Sequence, residues 1–292
     1  MFVTLGDQRI FFDVVGTKFA IDGPKMREKP TLIVMHGGPG FDHTYEHAAL
    51  PGVTSPWETI AKKRRVVFYD QRGTGRSGPL KPGQSCNLAD QIADLEAVRA
   101  HLGADQIDLA GHSWGGYLVI AYSARHPEHI RHLITIDSAA PKWTDPMDLF
   151  KDIFPEGVER SGQRAFAETL GDPAAIDANL FEYLHWLFYS PEKRDAFMTQ
   201  FDPKVYVKAV NDVLNQDLAR YDLNPELAKF KFPAMVITGR YDINVAPAIA
   251  YKMHKAIAGS KFVVFEKSGH MPFVEEPEAF VRTIEGFLGG GR

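Results

Sequence analysis

A chain of 292 residues with 45% hydrophobic, 24% charged and 12% aromatic residues has the profile of an ordinary globular protein, with material for one large α/β core and an insertion. Its formal net charge of −4 and its one basic cluster, Lys62-Lys63-Arg64-Arg65, read as the solvated end of a helix, argue against a nucleic-acid or anionic-membrane surface, which needs concentrated positive charge. Cys86 is the only cysteine, so no intrachain disulfide is expected, and with neither a signal peptide nor an apolar run of ~18 residues for a membrane span the expectation is a soluble, cytoplasmic protein.

Phe2 to Leu5 and Arg9 to Val15 read as two strands about a Gly6-Asp7 turn, and residues 17 to 30 as a polar loop. Thr31-Leu32-Ile33-Val34-Met35 is a continuous apolar run, the mark of a strand covered on both faces, and it ends in His36-Gly37-Gly38-Pro39-Gly40. A helix is expected over 55–64 and a buried strand from Arg65 to Tyr69, followed by the turn Asp70-Gln71-Arg72-Gly73-Thr74-Gly75-Arg76-Ser77. Asn87 caps a helix with apolar residues at Leu88, Ile92, Leu95, Val98 and Leu102, closed by Gly103. Gln106 to Ala110 then reads as a short strand, and Gly116 to His126 as a buried helix stopped by Pro127. Between them lies Gly111-His112-Ser113-Trp114-Gly115, a G-x-S-x-G pattern on a strand-to-helix turn.

His132 to Asp137 is one more strand, and from Pro141 to about residue 222 no strand is expected. Helical segments open there at Asp145-Pro146, Asp172-Pro173, Pro191-Glu192 and Asp202-Pro203. Strands resume at Pro233 to Gly239 and Lys261 to Phe265, with helices over 247–258 and from Pro277 into Gly289-Gly290-Gly291-Arg292. Buried strands alternating with helices predict a mainly parallel sheet flanked by helices, whose ligands sit off the carboxyl ends of the strands. The division expected is a core of residues 1–140 and 223–292 with an inserted all-helical cap over 141–222.

A serine hydroxyl needs a neighbouring base and a third group to orient that base. Asp242 and His270 follow two successive strands and give the chain order Ser113, Asp242, His270, that of the triad on an α/β-hydrolase fold. His270 would then be the general base and acid, and Asp242 would hold its tautomer. The backbone N–H of Trp114 is one expected oxyanion donor and that of Gly38 the other. Asp70 and Arg72 are expected to brace loops, and His112 to pack or hydrogen-bond structurally. No H-E-x-x-H or Cys/His spacing points to a metal, the lone G-x-G of Gly73-Thr74-Gly75 lacks a dinucleotide context, and no cofactor is required.

On the stretches at 36–40, 70–77 and 111–116, on Gly239-Arg240-Tyr241-Asp242 and on Ser268-Gly269-His270, the chain resembles the proline iminopeptidase family of α/β-hydrolases. The resemblance implies the same triad, with backbone donors at Gly38 and Trp114. It departs in the cap, where aminopeptidase members hold the substrate amine with glutamates, one within a W-x-x-W-E run. Here Phe181-Glu182-Tyr183-Leu184-His185-Trp186 has an acid and a tryptophan in the opposite order, and Asn211 puts an amide where relatives carry a carboxylate. Gly37, Glu182 and Trp186 are candidate substrate-binding residues, with Glu168, Asp212 and Asp217 as other amine anchors. The expected partner is a small ester, lactone or short peptide or amide. The alternatives to an aminopeptidase are a carboxylesterase or lactonase for an uncharged substrate and, outside enzymes, a hydrolase-fold receptor for a small ligand.

Overall fold

The computed structural model describes residues 1–289; the expected fading of the last helix over 290–292 lies outside the described residues. Among the described residues ten strands form in chain order: β1 (Phe2–Leu5), β2 (Gln8–Val15), β3 (Phe19–Asp22), β4 (Lys25–Glu28), β5 (Thr31–Met35), β6 (Arg65–Tyr69), β7 (Ile107–His112), β8 (Ile130–Ile136), β9 (Ala234–Gly239) and β10 (Lys261–Phe265). Eight of them make one twisted sheet in the order β1-β2-β6-β5-β7-β8-β9-β10. β1 and β2 pair antiparallel, β2 joins β6 antiparallel, and every pair from β6 to β10 is parallel. The continuous apolar runs have their cause here, because β5, β6, β7 and β9 are buried on both faces by helices.

Register brings the informative turns together. Met35 at the end of β5 sits opposite Gly111 of β7, Gly111 opposite Thr135 of β8, Ile136 opposite Ile237 of β9, and Gly239 opposite Phe265 of β10. The residues that follow each strand, at 36–40, 113–115, 137, 240–242 and 268–270, therefore leave the sheet on one edge. Both glycines around Ser113 are demanded by packing. A Cβ on Gly115 would lie 2.3 Å from the Met35 carbonyl oxygen, and one on Gly111 would lie 2.2 Å from the Gly115 carbonyl oxygen.

Between β8 and β9 the described residues fold into helices Phe150–Ile153, Pro155–Thr169, Pro173–Trp186, Pro191–Met198 and Lys208–Leu218. The two ends of this segment meet: Lys142 bridges Asp222, and the Leu223 N–H donates to the Pro141 carbonyl. The segment also grips the sheet edge. Val207 N–H donates to the Gly40 carbonyl, the Asn211 side chain to that of Pro39, and His270 N–H to that of Leu187.

Three expectations need correction. Residues 17–30 are not a plain loop but include the β3–β4 hairpin, turned at Gly23-Pro24 with Gly23 at φ 60°; the signal of a glycine at the first position of a two-residue hairpin turn was masked by the polar composition. Asp145-Pro146 opens no helix, because the Met147 carbonyl and the Leu149 N–H are taken by Ala246 and Ile243 of the core. The basic cluster is solvated only at Lys62 and Lys63. Arg64 reaches the buried Asp108 carboxylate and the Leu288 carbonyl, and Arg65 holds the Thr31 hydroxyl, since β6 begins at Arg65 and draws both arginines under the sheet.

The 70–77 turn is braced as expected. Arg72 grips Asp94 with two bonds of 2.6 and 2.7 Å, both groups being buried, and so ties the turn to helix Leu88–His101. Arg72→Ala strands the Asp94 carboxylate, a change that costs about 3–5 kcal/mol when a buried pair is broken from one side. Urea unfolding measures it; a loss below about 1 kcal/mol, the range of an exposed pair, would show that the brace carries no load.

Candidate active site

Ser113 stands between β7 and helix Trp114–Arg125 at φ 56°, ψ −122°, a backbone region that a non-glycine residue enters only when its surroundings impose it. Its carbonyl accepts from Gly116 and Ala139, and its N–H donates to the Ile136 carbonyl. The turn is thus held by β8 on one side and by its own helix on the other. Ser113 is 7% exposed and faces a narrow space of about 20 Å³, together with Gly37, Gly38, His112 and His270.

His270 follows β10 and Asp242 follows β9. The His270 Nδ1–H donates to Asp242 Oδ2 at 2.8 Å, while Oδ1 of the same carboxylate accepts the N–H groups of Asn244 and Val245 at 2.9 and 3.0 Å. With Nδ1 protonated, His270 Nε2 is an acceptor, and it takes the Asn244 amide at 3.1 Å. The structure therefore brings Asp242 and His270 into contact and places Ser113 on the same cavity as His270. The Nε2 hydrogen bond goes to Asn244 and not to the Ser113 hydroxyl. Asn244 was missed by sequence reasoning, although its place two residues after Asp242, in a turn that Asp242 caps, was a usable signal.

The 36–40 loop lies directly against the elbow. A Cβ on Gly37 would sit 2.9 Å from the Ser113 Cβ, so only glycine admits this approach. The Gly37 N–H donates to the Tyr45 hydroxyl at 2.5 Å and is not free to face a ligand. The N–H groups of Gly38 and Trp114 have no acceptor among the described residues. The Tyr45 hydroxyl in turn donates to His112 Nδ1 at 2.7 Å, and His112 Nε2–H donates to the His270 carbonyl at 2.8 Å. Burial and the neighbouring His270 hold His112 well below its ordinary pKa, and burial keeps the Tyr45 phenol well above its own. Both groups stay neutral, so one chain of bonds runs from the Gly37 loop to the His270 loop. Gln71 makes a second bridge, accepting from the Trp114 indole at 2.7 Å and donating to the His36 carbonyl at 2.9 Å. Asp70 stays structural: burial pushes its carboxyl up, but the bond to His43, the Arg76 N–H and the nearby imidazoles together outweigh that and hold it below the usual range.

With this geometry in place, the comparisons with known proteins decide the family. Residues 30–277 match the alpha/beta hydrolase fold family. The proline iminopeptidase of Lactobacillus helveticus (strain DPC 4571) is 32% identical over 280 residues, which cover 89% of this chain and 90% of that protein. The chain belongs to the proline iminopeptidase-like family of α/β-hydrolases. The proline iminopeptidase of Saccharolobus solfataricus is 29% identical over 272 residues, covering 88% and 84%. In fold, the chain is similar to an esterase from Exiguobacterium antarcticum (TM-score 0.75, 22% identity, 99% and 98% covered) and to an enol-lactonase from Burkholderia xenovorans LB400 (TM-score 0.74, 21% identity, 99% and 100% covered).

Where this α/β-hydrolase differs in its helical segment, the structure sorts the candidate anchors. A cavity of about 620 Å³ opens from Gly38 and Phe41 and is walled by Phe150, Tyr183, Trp186 and Tyr206. Trp186 and Glu168 are on it. Glu182 is not: its carboxylate is bound by both Arg160 and Arg164, which outweigh burial and hold it below its ordinary pKa. The expectation of Glu182 as a substrate-binding group is therefore corrected, since two guanidinium groups already neutralise it. Asp212 pairs with Lys208, and Asp217 accepts the Leu88 N–H. Gly37 touches the narrow space beside Ser113 as a close-packing residue. Asn211, the amide noted in the sequence, donates to the Pro39 carbonyl and lines the cavity.

Tyr45→Phe removes one hydroxyl and leaves two buried partners, the Gly37 N–H and His112 Nδ1, unpaired. A stability loss of about 2 kcal/mol follows from such unmade bonds, with turnover falling more than KM rises, because both ends of the chain meet the loops around Ser113. Denaturant unfolding and steady-state kinetics read the two effects; an unchanged variant would mean the chain positions nothing.

Proposed function

We propose that the chain is a serine hydrolase that cleaves a small ester or amide through an acyl-enzyme, in the manner of a proline iminopeptidase. What carries the reading is a single arrangement: Ser113 on its strained turn faces the same space as His270, which Asp242 holds in the Nδ1–H tautomer. Substrate entry displaces the Asn244 amide from Nε2, and that nitrogen then accepts the Ser113 proton as Oγ adds to the carbonyl carbon. The oxyanion that forms is met by the free N–H groups of Gly38 and Trp114, fixed by the Gln71 bridge before the reaction begins. His270 returns its proton to the leaving alcohol or amine. A water activated by the same nitrogen then releases the acyl group and frees Ser113.

The helical segment acts as the cap that selects substrates. Its cavity is within the ~300–1,000 Å³ of small-molecule sites, and aromatic walls suit an apolar ring. Glu168 supports an amine-bearing acyl group: it lines the cavity, and its partner Asn179 donates to it at 2.6 Å while the Asn179 Oδ1 is buried without a donor. The amide reading also draws on the named relatives. A second reading, an ester or lactone hydrolase for an uncharged substrate, is favoured by the neutralisation of Glu182, which removes one carboxylate from the set that could hold an ammonium.

Fluorophosphonate labels the wild-type protein stoichiometrically and fails to label Ser113→Ala; an unlabelled wild type would sink the hydrolase reading. Prolyl-naphthylamide and short-chain p-nitrophenyl esters then divide the substrates. Glu168→Gln raises KM for the prolyl amide about tenfold or more, the worth of a lost bond to a charged group, and leaves a neutral ester untouched. Strong ester turnover with no prolyl-amide cleavage would overturn the aminopeptidase reading and support the second.

A further inference from the structure

Apart from Ser113, one non-glycine residue of the described chain has positive φ: Asp137, at φ 45° directly after β8. It is 1% exposed. One carboxyl oxygen accepts the Gly239 N–H at 2.7 Å, and the other, Oδ2, is buried with no donor among the described residues. A carboxyl oxygen of Asp137, one of Asp242 and a ring nitrogen of His270 all lie within 4.8 Å of one another. Two buried carboxyls this close do not both ionise. Donor supply decides which keeps the proton, because Asp242 receives three hydrogen bonds and Asp137 one. Burial and the adjacent Asp242 correspondingly lift Asp137 well above its ordinary pKa.

We propose that Asp137 is a positioning residue behind the triad and its reserve acid: as a neutral carboxyl it donates Oδ2–H to Asp242, and if Asp242 is lost it ionises and accepts His270 Nδ1–H itself. The role rests on the serine hydrolase reading above. In the intact site the shared proton leaves one net negative charge facing the imidazole, held between the strand ends of β8 and β9. With Asp242 removed, Asp137 releases its proton to solvent and its carboxylate turns to the same ring nitrogen. A role confined to joining the ends of β8 and β9 through Gly239 would give no such substitution. The other titratable groups facing the pair are His270 from the loop after β10, His112 behind it at the end of β7, and Tyr183 from the cap.

The test compares Asp242→Ala with Asp242→Ala/Asp137→Asn, each checked by thermal unfolding, through the pH profile of kcat/KM on the preferred substrate. Loss of the triad acid's function costs about 10⁴-fold. With Asp137 in reserve, Asp242→Ala loses only about 10²-fold and regains rate as pH rises and Asp137 ionises. The double variant falls the remaining way and has no such rise. Asp137→Asn alone, which keeps a donor toward Asp242, lowers kcat/KM a few-fold, and Asp137→Leu lowers it further. If Asp242→Ala does not fold, Asp242→Ser, which keeps an oxygen for the Asn244 and Val245 N–H groups, replaces it in both arms. Equal rates and profiles for the single and double variants, in a wild type that fluorophosphonate labels, would overturn the role of Asp137 alone. An unlabelled wild type would overturn it together with the hydrolase reading.

Discussion

The constraint on which the rest depends is the approach of the elbow backbone to the end of β5. Gly115 rests where a single added carbon would meet the Met35 carbonyl, and that contact presses the 111–115 turn against the 36–40 loop. Because β5 and β7 are neighbours with Met35 opposite Gly111, the sheet itself sets the separation of the two loops. Two N–H groups from different loops, those of Gly38 and Trp114, can then point into one space without any side chain having to place them. The strained φ of Ser113 is the local consequence: the turn must reverse within one residue to enter helix Trp114–Arg125, and the packing on both sides leaves no wider path.

Around that contact, apart from the Asp242 carboxylate that holds His270, the protein uses neutral polar groups. His36 and His112 are held below their ordinary pKa by burial, Tyr45 above its own, and Asp137 well above its own. Each contributes oriented dipoles with no net charge. The strong ion pairs, Arg72 with Asp94 and Arg64 with Asp108, tie elements together away from the elbow. For the proposed chemistry this division matters, since in a low-dielectric site a stray charge beside the proposed oxyanion position would act on ground state and transition state alike, whereas fixed dipoles aimed at one point favour the charge that develops there.

Much of this was legible in the sequence where the constraint is short-range. Apolar runs at 31–35, 65–69 and 234–239 are strands because burial on both faces tolerates nothing else, and the G-x-S-x-G pattern reports a backbone approach that excludes Cβ atoms. The order Ser113, Asp242, His270 was readable because successive parallel strands deliver their ends to one edge. What stayed hidden depends on contacts between distant segments. The partners of Glu182 are arginines on the preceding helix, so its neutralisation could not be seen from its own neighbours. Arg64 and Arg65 look like a solvated cluster until β6 carries them beneath the sheet. Asp137 reads as an ordinary strand-end residue, and only the pairing of β8 with β9 shows that it shares a space with Asp242.

The helical segment is joined to the proposed chemistry by hydrogen bonds as well as by shape. His270 N–H is held by the Leu187 carbonyl, and the carbonyls of Pro39 and Gly40 are held by Asn211 and by the Val207 N–H. Glu275 adds a further link, accepting the N–H groups of Gly269 beside His270 and of Ser190 in the helical segment. Both loops that flank Ser113 are therefore anchored to the same helical segment that walls the 620 Å³ cavity. A change in this segment that widens or closes the cavity also shifts the loops at 36–40 and 268–270, so on the proposed mechanism substrate choice and turnover do not vary independently.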